Sequence, residues 1–171
     1  AWILAVLAKD AKHLFEFGTC TGKTSYLWAR NQPAGGTVTT LTLDPRRLDE
    51  YQSEAGDDRT AEQYAKEESR FSRFRYTGTE VEARVVQLYG DSKQFDEAPY
   101  VAGCDVVFVD GSHAYSYVVN DSGKALRMVR PGGLVIWHDY SPDCPGVFRA
   151  LNEMSARLPL VLVRGTTLVA Y

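Results

Sequence analysis

The residues of this 171-residue chain that could do chemistry stand at the ends of its apolar runs. Glu16 lies in LFEFG, Asp44 closes LTLD, Asp91 follows LYG, Asp110 closes VFVD, and Asp139 follows IWH. In an open α/β sheet the ligand crevice lies outside the carboxyl ends of the strands, so these carboxylates are expected to share one rim. Like charges so gathered repel unless a cation, or hydrogen-bond donors such as ribose hydroxyls, compensate them. The expected ligand is therefore cationic, diol-bearing, metal-linked, or several of these. His113, three residues after Asp110, is the candidate general base, because an imidazole titrates near neutrality.

The turn after the first run reads EFGTCTGKT and admits more than one nucleotide chemistry. A phosphate-cradling loop needs G-x-x-x-x-G-K-[ST], and the spacing from Gly18 to Gly22 is one residue short of it. The rim acids would also oppose a triphosphate, although VVFVD resembles the acidic strand of such NTPases. A dinucleotide fold needs G-x-G-x-x-G, and here Glu16 stands where its first glycine belongs, while Asp44 is suitably placed for a ribose. A P-loop-like NTPase and an NAD-dependent enzyme remain open at this point.

The elements that must position these groups are legible from periodicity. Strands are expected at His13–Phe17, Thr37–Leu43, Arg84–Tyr89, Asp105–Val109 and Leu134–Trp137, with helices over 23–31, 60–72 and 115–129 between them. Continuous apolar runs such as VVFV and LVIW suit parallel strands covered on both faces. A helix over 146–158 then leads to Leu160–Arg164 and Thr166–Tyr171, joined around Gly165 and therefore antiparallel. The expected fold is a Rossmann-like, doubly wound, mostly parallel α/β sheet with an antiparallel C-terminal edge hairpin. The segment 45–83 is unusually rich in charge, which predicts either a solvated helix with long connections or a lid beside the site.

Length and composition agree with one domain over 1–171. A content of 44% hydrophobic and 24% charged residues excludes collagen, a coiled coil and low-complexity disorder. The net charge of −3 argues against nucleic acid or an anionic membrane as the main partner. Three cysteines without a CxxC pair predict free thiols in a reducing cytoplasm. The apolar run Ala1–Ala8 is too short to span a bilayer and reads as a helix already under way, which suggests that natural sequence precedes Ala1.

Taken together, the E-x-G-x-x-x-G turn, the acid ending the second strand, GDS after the third, DGSHAY at 110–115 and PGGLVIWHDY at 131–140 resemble class I S-adenosylmethionine-dependent methyltransferases. The last two motifs are similar to those of small O-methyltransferases related to catechol-type, macrolide-sugar and cephalosporin-modifying enzymes. The resemblance implies that Glu16, Gly18, Thr19 and Gly22 form the loop under the methionine part of S-adenosylmethionine. It implies that Asp44 holds the ribose hydroxyls, and that Asp91 and Ser92 face the adenine. Its implied activity is methyl transfer to a small-molecule acceptor, most simply a hydroxyl oxygen, with Asp110 and His113 catalytic. A non-catalytic S-adenosylmethionine-binding module is the alternative, and a homo-oligomer is compatible with either reading.

In the resembling enzymes a divalent cation often joins the acid after strand four to an acidic pair after strand five. Asp110 and Asp139 match, and His138 stands where the pair's first acid belongs. The expected site is Asp110, His138 and Asp139 holding magnesium or manganese, with the imidazole favouring the softer metal. Strand alternation, however, puts His138 and Asp139 on opposite faces. Tyr115, Tyr117 and Tyr140 are expected to line the acceptor pocket.

Overall fold

The computed structural model describes residues 1–171. In chain order the elements are α1 (Trp2–Ala8), β1 (His13–Phe17), α2 (Lys23–Asn31), β2 (Thr37–Thr42), α3 (Arg59–Glu68), β3 (Val85–Tyr89), β4 (Cys104–Val109), α4 (Tyr115–Met128), β5 (Val129–Trp137), α5 (Pro145–Ser155), β6 (Val161–Leu162) and β7 (Val169–Ala170). The sheet runs β3-β2-β1-β4-β5-β7-β6. The first five strands pair in parallel, and β7 pairs antiparallel with both β5 and β6. This is the mostly parallel Rossmann-like sheet with an antiparallel edge that the sequence predicts. No helix is long and apolar enough to cross a membrane.

Side-chain alternation divides the apolar residues between two cores, one on each face of the sheet. Phe15, Phe17, Val107, Val109, Val135 and Trp137 pack under α4 and α5. Leu14, Val38, Val106, Phe108 and Ile136 face the other way, against α1 and Trp28 of α2. Trp28 and Phe108 meet edge-on at 5.8 Å, and both are buried. Burying one such side chain stabilises the fold by roughly 1.5–3 kcal/mol.

The chain passes outward from β1 through β2 to β3, then returns to place β4 on the other side of β1. The strand order therefore reverses at β1, and the ligand crevice lies outside the carboxyl ends of β1 and β4. Over this end of the sheet lies α3, which anchors the charged segment. Its Ala61 and Ala65 pack with Leu43, Tyr51, Ala114 and Tyr117, while its remaining surface is solvated. Asp58 caps it by accepting from the Thr60 amide at 2.9 Å.

Several boundaries differ from those expected. β5 begins at Val129, immediately after α4, and pairs with β4 across an irregularity between Cys104 and Val106. The helix expected over 60–72 ends at Glu68, and the C-terminal hairpin strands are shorter than the apolar runs that contain them. In the hairpin, Thr166 and Gly165 (φ +75°) make the turn and shorten the ladder.

Candidate functional site

The turn after β1 owes its glycines to geometry. Gly18 has φ +96°, and a Cβ there would overlap the backbone carbonyl of Asp110, so this residue lets the loops after β1 and β4 touch. Gly22 has φ +71° and starts α2 beneath Phe74 and Tyr76, where the Phe74 Cβ and the Tyr76 ring leave no room for a side chain. Thr19 is buried, its hydroxyl 2.8 Å from that of Thr40 and accepting from Gln87 at 3.1 Å. The Thr19 hydroxyl is thus turned into the sheet, while the residue still borders the cleft beside the turn.

Glu16 is buried beneath the rim, where it borders the cleft beside the glycine turn. It lies within β1 on the α2 side of the sheet, 1% exposed, and accepts hydrogen bonds from Ser25 Oγ and from Thr40 Oγ1 (2.8 Å). Burial pushes its pKa up to about 8 against the lowering effect of those bonds. The sequence places the acid beside the turn, but strand alternation sends its carboxyl under the loop. The rim itself carries Asp44, Asp91, Asp110 and Asp139.

Asp44, two residues beyond β2, is held by its own neighbour. Arg46 donates its backbone N–H and Nε to Oδ1, at 2.9 and 3.1 Å, and Nη2 to Oδ2 at 3.0 Å. These bonds hold the carboxyl below its usual range. Beyond β3, Asp91 accepts from the Lys93 amide (2.9 Å) and from Tyr117 OH (3.0 Å). Tyr117 stacks on Tyr51 with centroids 4.4 Å apart. Asp91, Ser92 and this aromatic pair wall a narrow cavity of about 60 Å³ that reaches back to Gly18 and Asp110.

The four remaining groups converge after β4 and β5. β5 ends at Trp137, and Asp139 takes φ +55°, a left-handed conformation that cancels the expected alternation. His138 and Asp139 consequently both face Asp110. His138 Nδ1 lies 3.0 Å from Asp110 Oδ1 and 3.1 Å from Asp139 Oδ1. On the other side, His113 Nε2 lies 2.9 Å from Asp139 Oδ2, and its Nδ1 lies 3.9 Å from Cys144 Sγ. Hydrogen bonds to Asp110 and Asp139 push the pKa of His138 up to about 10. The Asp139 hydrogen bond likewise raises that of His113. Burial opposes charge on Asp139, but hydrogen bonds from both histidines outweigh it and hold the carboxyl well below its usual range. Burial raises Asp110 in spite of His138.

Asp110, His138 and Asp139 can each offer one ligand atom, all within 4.8 Å of one another. Two carboxylates and one imidazole fit a divalent transition-metal ion such as manganese, iron or zinc better than magnesium, which prefers oxygen donors alone. These groups share a cleft of about 290 Å³ with the glycine turn and with Lys23, Thr24 and Glu68.

A family described as a methyltransferase domain matches residues 15–140. The chain belongs to this methyltransferase-domain family. Solved structures agree on the fold. The O-methyltransferase TomG of Streptomyces achromogenes, involved in tomaymycin synthesis and solved with SAM, is 22% identical with a TM-score of 0.64. That match covers 98% of this chain and 77% of TomG. An O-methyltransferase of Bacillus cereus, solved with SAH, is 18% identical with a TM-score of 0.61, over 99% of this chain and 76% of that one. Uncharacterized protein R132 of Acanthamoeba polyphaga mimivirus is 36% identical over 56 residues, which is 32% of this chain and 25% of the viral protein's length.

None of the three tyrosines expected at the acceptor pocket lines the cleft beside the glycine turn of this methyltransferase domain. Tyr115 donates to Glu153 (2.6 Å) under the Arg149 guanidinium, and Tyr140 stacks on Phe148 at 5.0 Å. Tyr117 belongs to the Asp91 cavity. Two helical residues are engaged here without a motif to announce them. Asp121 is buried beside that cavity, its pKa pushed up to about 6 by burial, and buried Lys124 donates to the carbonyls of Ser92 (2.7 Å) and Lys93 (3.2 Å). The signal for both was a charge on the apolar face of an amphipathic helix. Cys20, Cys104 and Cys144 are all free thiols.

Proposed function

We propose that this domain transfers a methyl group from S-adenosylmethionine to a hydroxyl oxygen of a small-molecule acceptor. The observation that supports this most is the single cleft in which the glycine turn faces His113, His138, Asp110 and Asp139. Its anionic wall suits a sulfonium, and Asp44 at the tip of β2 suits a ribose diol, since a carboxylate accepts from two hydroxyls at once. Asp91 and Ser92 would take the adenine end. When bound, the cofactor supplies an electrophilic methyl group on a sulfonium whose bonding electron pair stays with sulfur.

The chain's own contribution is alignment and proton removal. His113 keeps Nε2–H on Asp139, which leaves Nδ1 as the nitrogen that takes the acceptor's hydroxyl proton. Asp139 then steadies the resulting imidazolium. Asp110, His138 and Asp139 would hold a divalent ion, which would supply Lewis acidity toward the acceptor oxygen. Without a metal, the His138 imidazolium bridges the two carboxylates and offsets their charge.

Calorimetric titration with S-adenosylmethionine, S-adenosylhomocysteine, ATP and NAD tests the reading. Both sulfur ligands should bind and the other two far more weakly. ATP hydrolysis without a response to either sulfur ligand overturns the proposal. Tight cofactor binding with no methylated product from a broad panel of hydroxyl compounds points to a non-catalytic binding module instead.

A further inference from the structure

Glu68 ends α3 and is the one wall residue common to three cavities: the cleft beside the glycine turn, the Asp91 cavity, and a third cavity of about 310 Å³. The third lies between α3 and the start of α5, with Ala61 and Tyr64 on one side, Cys144 and Pro145 on the other, and His113 shared with the cleft. If the methyl donor occupies the cleft, as proposed above, this adjoining space is where an acceptor can reach His113 Nδ1. Its volume falls within the range of small-molecule sites.

The carboxylates at this junction differ in how they are engaged. Asp139 is held by His113 and His138, and Asp110 by His138. Asp58 caps α3, and Asp143 accepts from Ser141 Oγ at 3.4 Å. Glu68 alone forms neither a hydrogen bond nor an ion pair, although it shares the cleft with the histidines and acids of the site. No lysine or arginine lines the third cavity, whereas Asp58, Glu68 and Asp143 do. Glu68 lies on the exposed part of α3 with no internal partner, so a cationic group can pair with it without breaking an existing contact. An anionic acceptor would meet three carboxylates there and no lysine or arginine.

We propose that Glu68 is an acceptor-binding residue, and that the acceptor is a small hydroxyl compound carrying a protonated amine, with its ammonium on Glu68 and its hydroxyl at His113. This rests on the methyltransfer reading above. The Tyr64 ring, more than half exposed at 54%, offers a flat apolar wall for the body of such a molecule.

The test compares three phenols of similar shape and different charge: tyramine, p-cresol and 4-hydroxyphenylacetate. Binding is measured by titration into the protein loaded with S-adenosylhomocysteine, and turnover with S-adenosylmethionine. Tyramine should bind at least ~10-fold more tightly than p-cresol, and the anion most weakly, as expected for one charge pair in a partly desolvated site. Glu68→Gln should remove that preference, raising KM for tyramine by about the same ~10-fold while kcat changes much less. Its melting temperature should stay as in the parent, which reports that the variant is folded. Equal binding of the three phenols, preference for the neutral or anionic one, absence of binding by any, or an unchanged ranking in Glu68→Gln overturns the proposal. If S-adenosylhomocysteine itself fails to bind, the cofactor reading falls first. If it binds without charge preference among the phenols, only the role of Glu68 falls.

Discussion

Arg46 grips Asp44 with a two-pronged contact, Nε to one carboxylate oxygen at 3.1 Å and Nη2 to the other at 3.0 Å. The proposed ribose hydroxyls must compete with this guanidinium for the same two atoms. Asp44→Ala should weaken S-adenosylhomocysteine binding at least ~10-fold, because charge-assisted hydrogen bonds are lost. Arg46→Ala should strengthen it by freeing the carboxylate. Calorimetry on both variants checks the pair. Weaker binding by Arg46→Ala would mean that Arg46 itself contacts the ligand.

Glu16 links stability to pH. Its carboxyl titrates at about 8 in the folded protein against 4.5 for an ordinary glutamate, so the folded state holds a proton that the unfolded state has released. Stability from this group is complete below pH 4.5 and falls as pH rises, until it is lost above about 8. Glu16→Gln keeps the shape of the side chain and removes the titration. In urea melts at about pH 5 and about pH 8.5, the parent should lose stability relative to Glu16→Gln as pH rises, by an amount of the order of a few kcal/mol. Parallel pH profiles would show that Glu16 is ionised in the fold throughout.

The Asp110, His138 and Asp139 cluster should take one manganese ion, followed by electron paramagnetic resonance of free manganese, and should prefer it to magnesium. Asp139→Asn should abolish that binding. Turnover should fall on chelation and recover with manganese. Full activity in EDTA, with no manganese bound, would leave His138 as the group that offsets the two carboxylates.

His113→Ala should lower kcat by roughly 10²–10⁴-fold, the range for a positioned general base. Affinity for S-adenosylhomocysteine should change little, because the proposed adenosyl contacts lie near the ends of β2 and β3. Single-turnover kinetics with a hydroxyl acceptor that the parent methylates gives the measurement. A His113→Gln variant with most of its kcat intact would assign proton removal to the metal and leave His113 to brace Asp139.

Much of this arrangement is written locally. The apolar runs and their spacing determine β1 to β5, because period-2 burial on two faces needs an apolar residue at nearly every position, as in VVFV and LVIW. The glycines at 18 and 22 mark the turn, and acids close the strands. These signals depend on neighbours in sequence, and so they survive without coordinates.

What the tertiary structure decided depends on atoms distant in sequence or on a single dihedral angle. Glu16 reads like a rim acid but is enclosed by Ser25 and Thr40, because alternation along β1 turns it toward α2. His138 and Asp139 should diverge by the strand rule, and the left-handed φ of Asp139 brings them together beside Asp110. Gly18 is required by the close approach of the Asp110 carbonyl, ninety-two residues away. Glu68 belongs to a charge-rich stretch that resembles any solvated helix, and only the packing of Ala61 and Ala65 on the tyrosine pair below sets it over the site. Strand periodicity is a property of short segments, whereas the direction in which a carboxylate points is settled by the partners that folding brings to it.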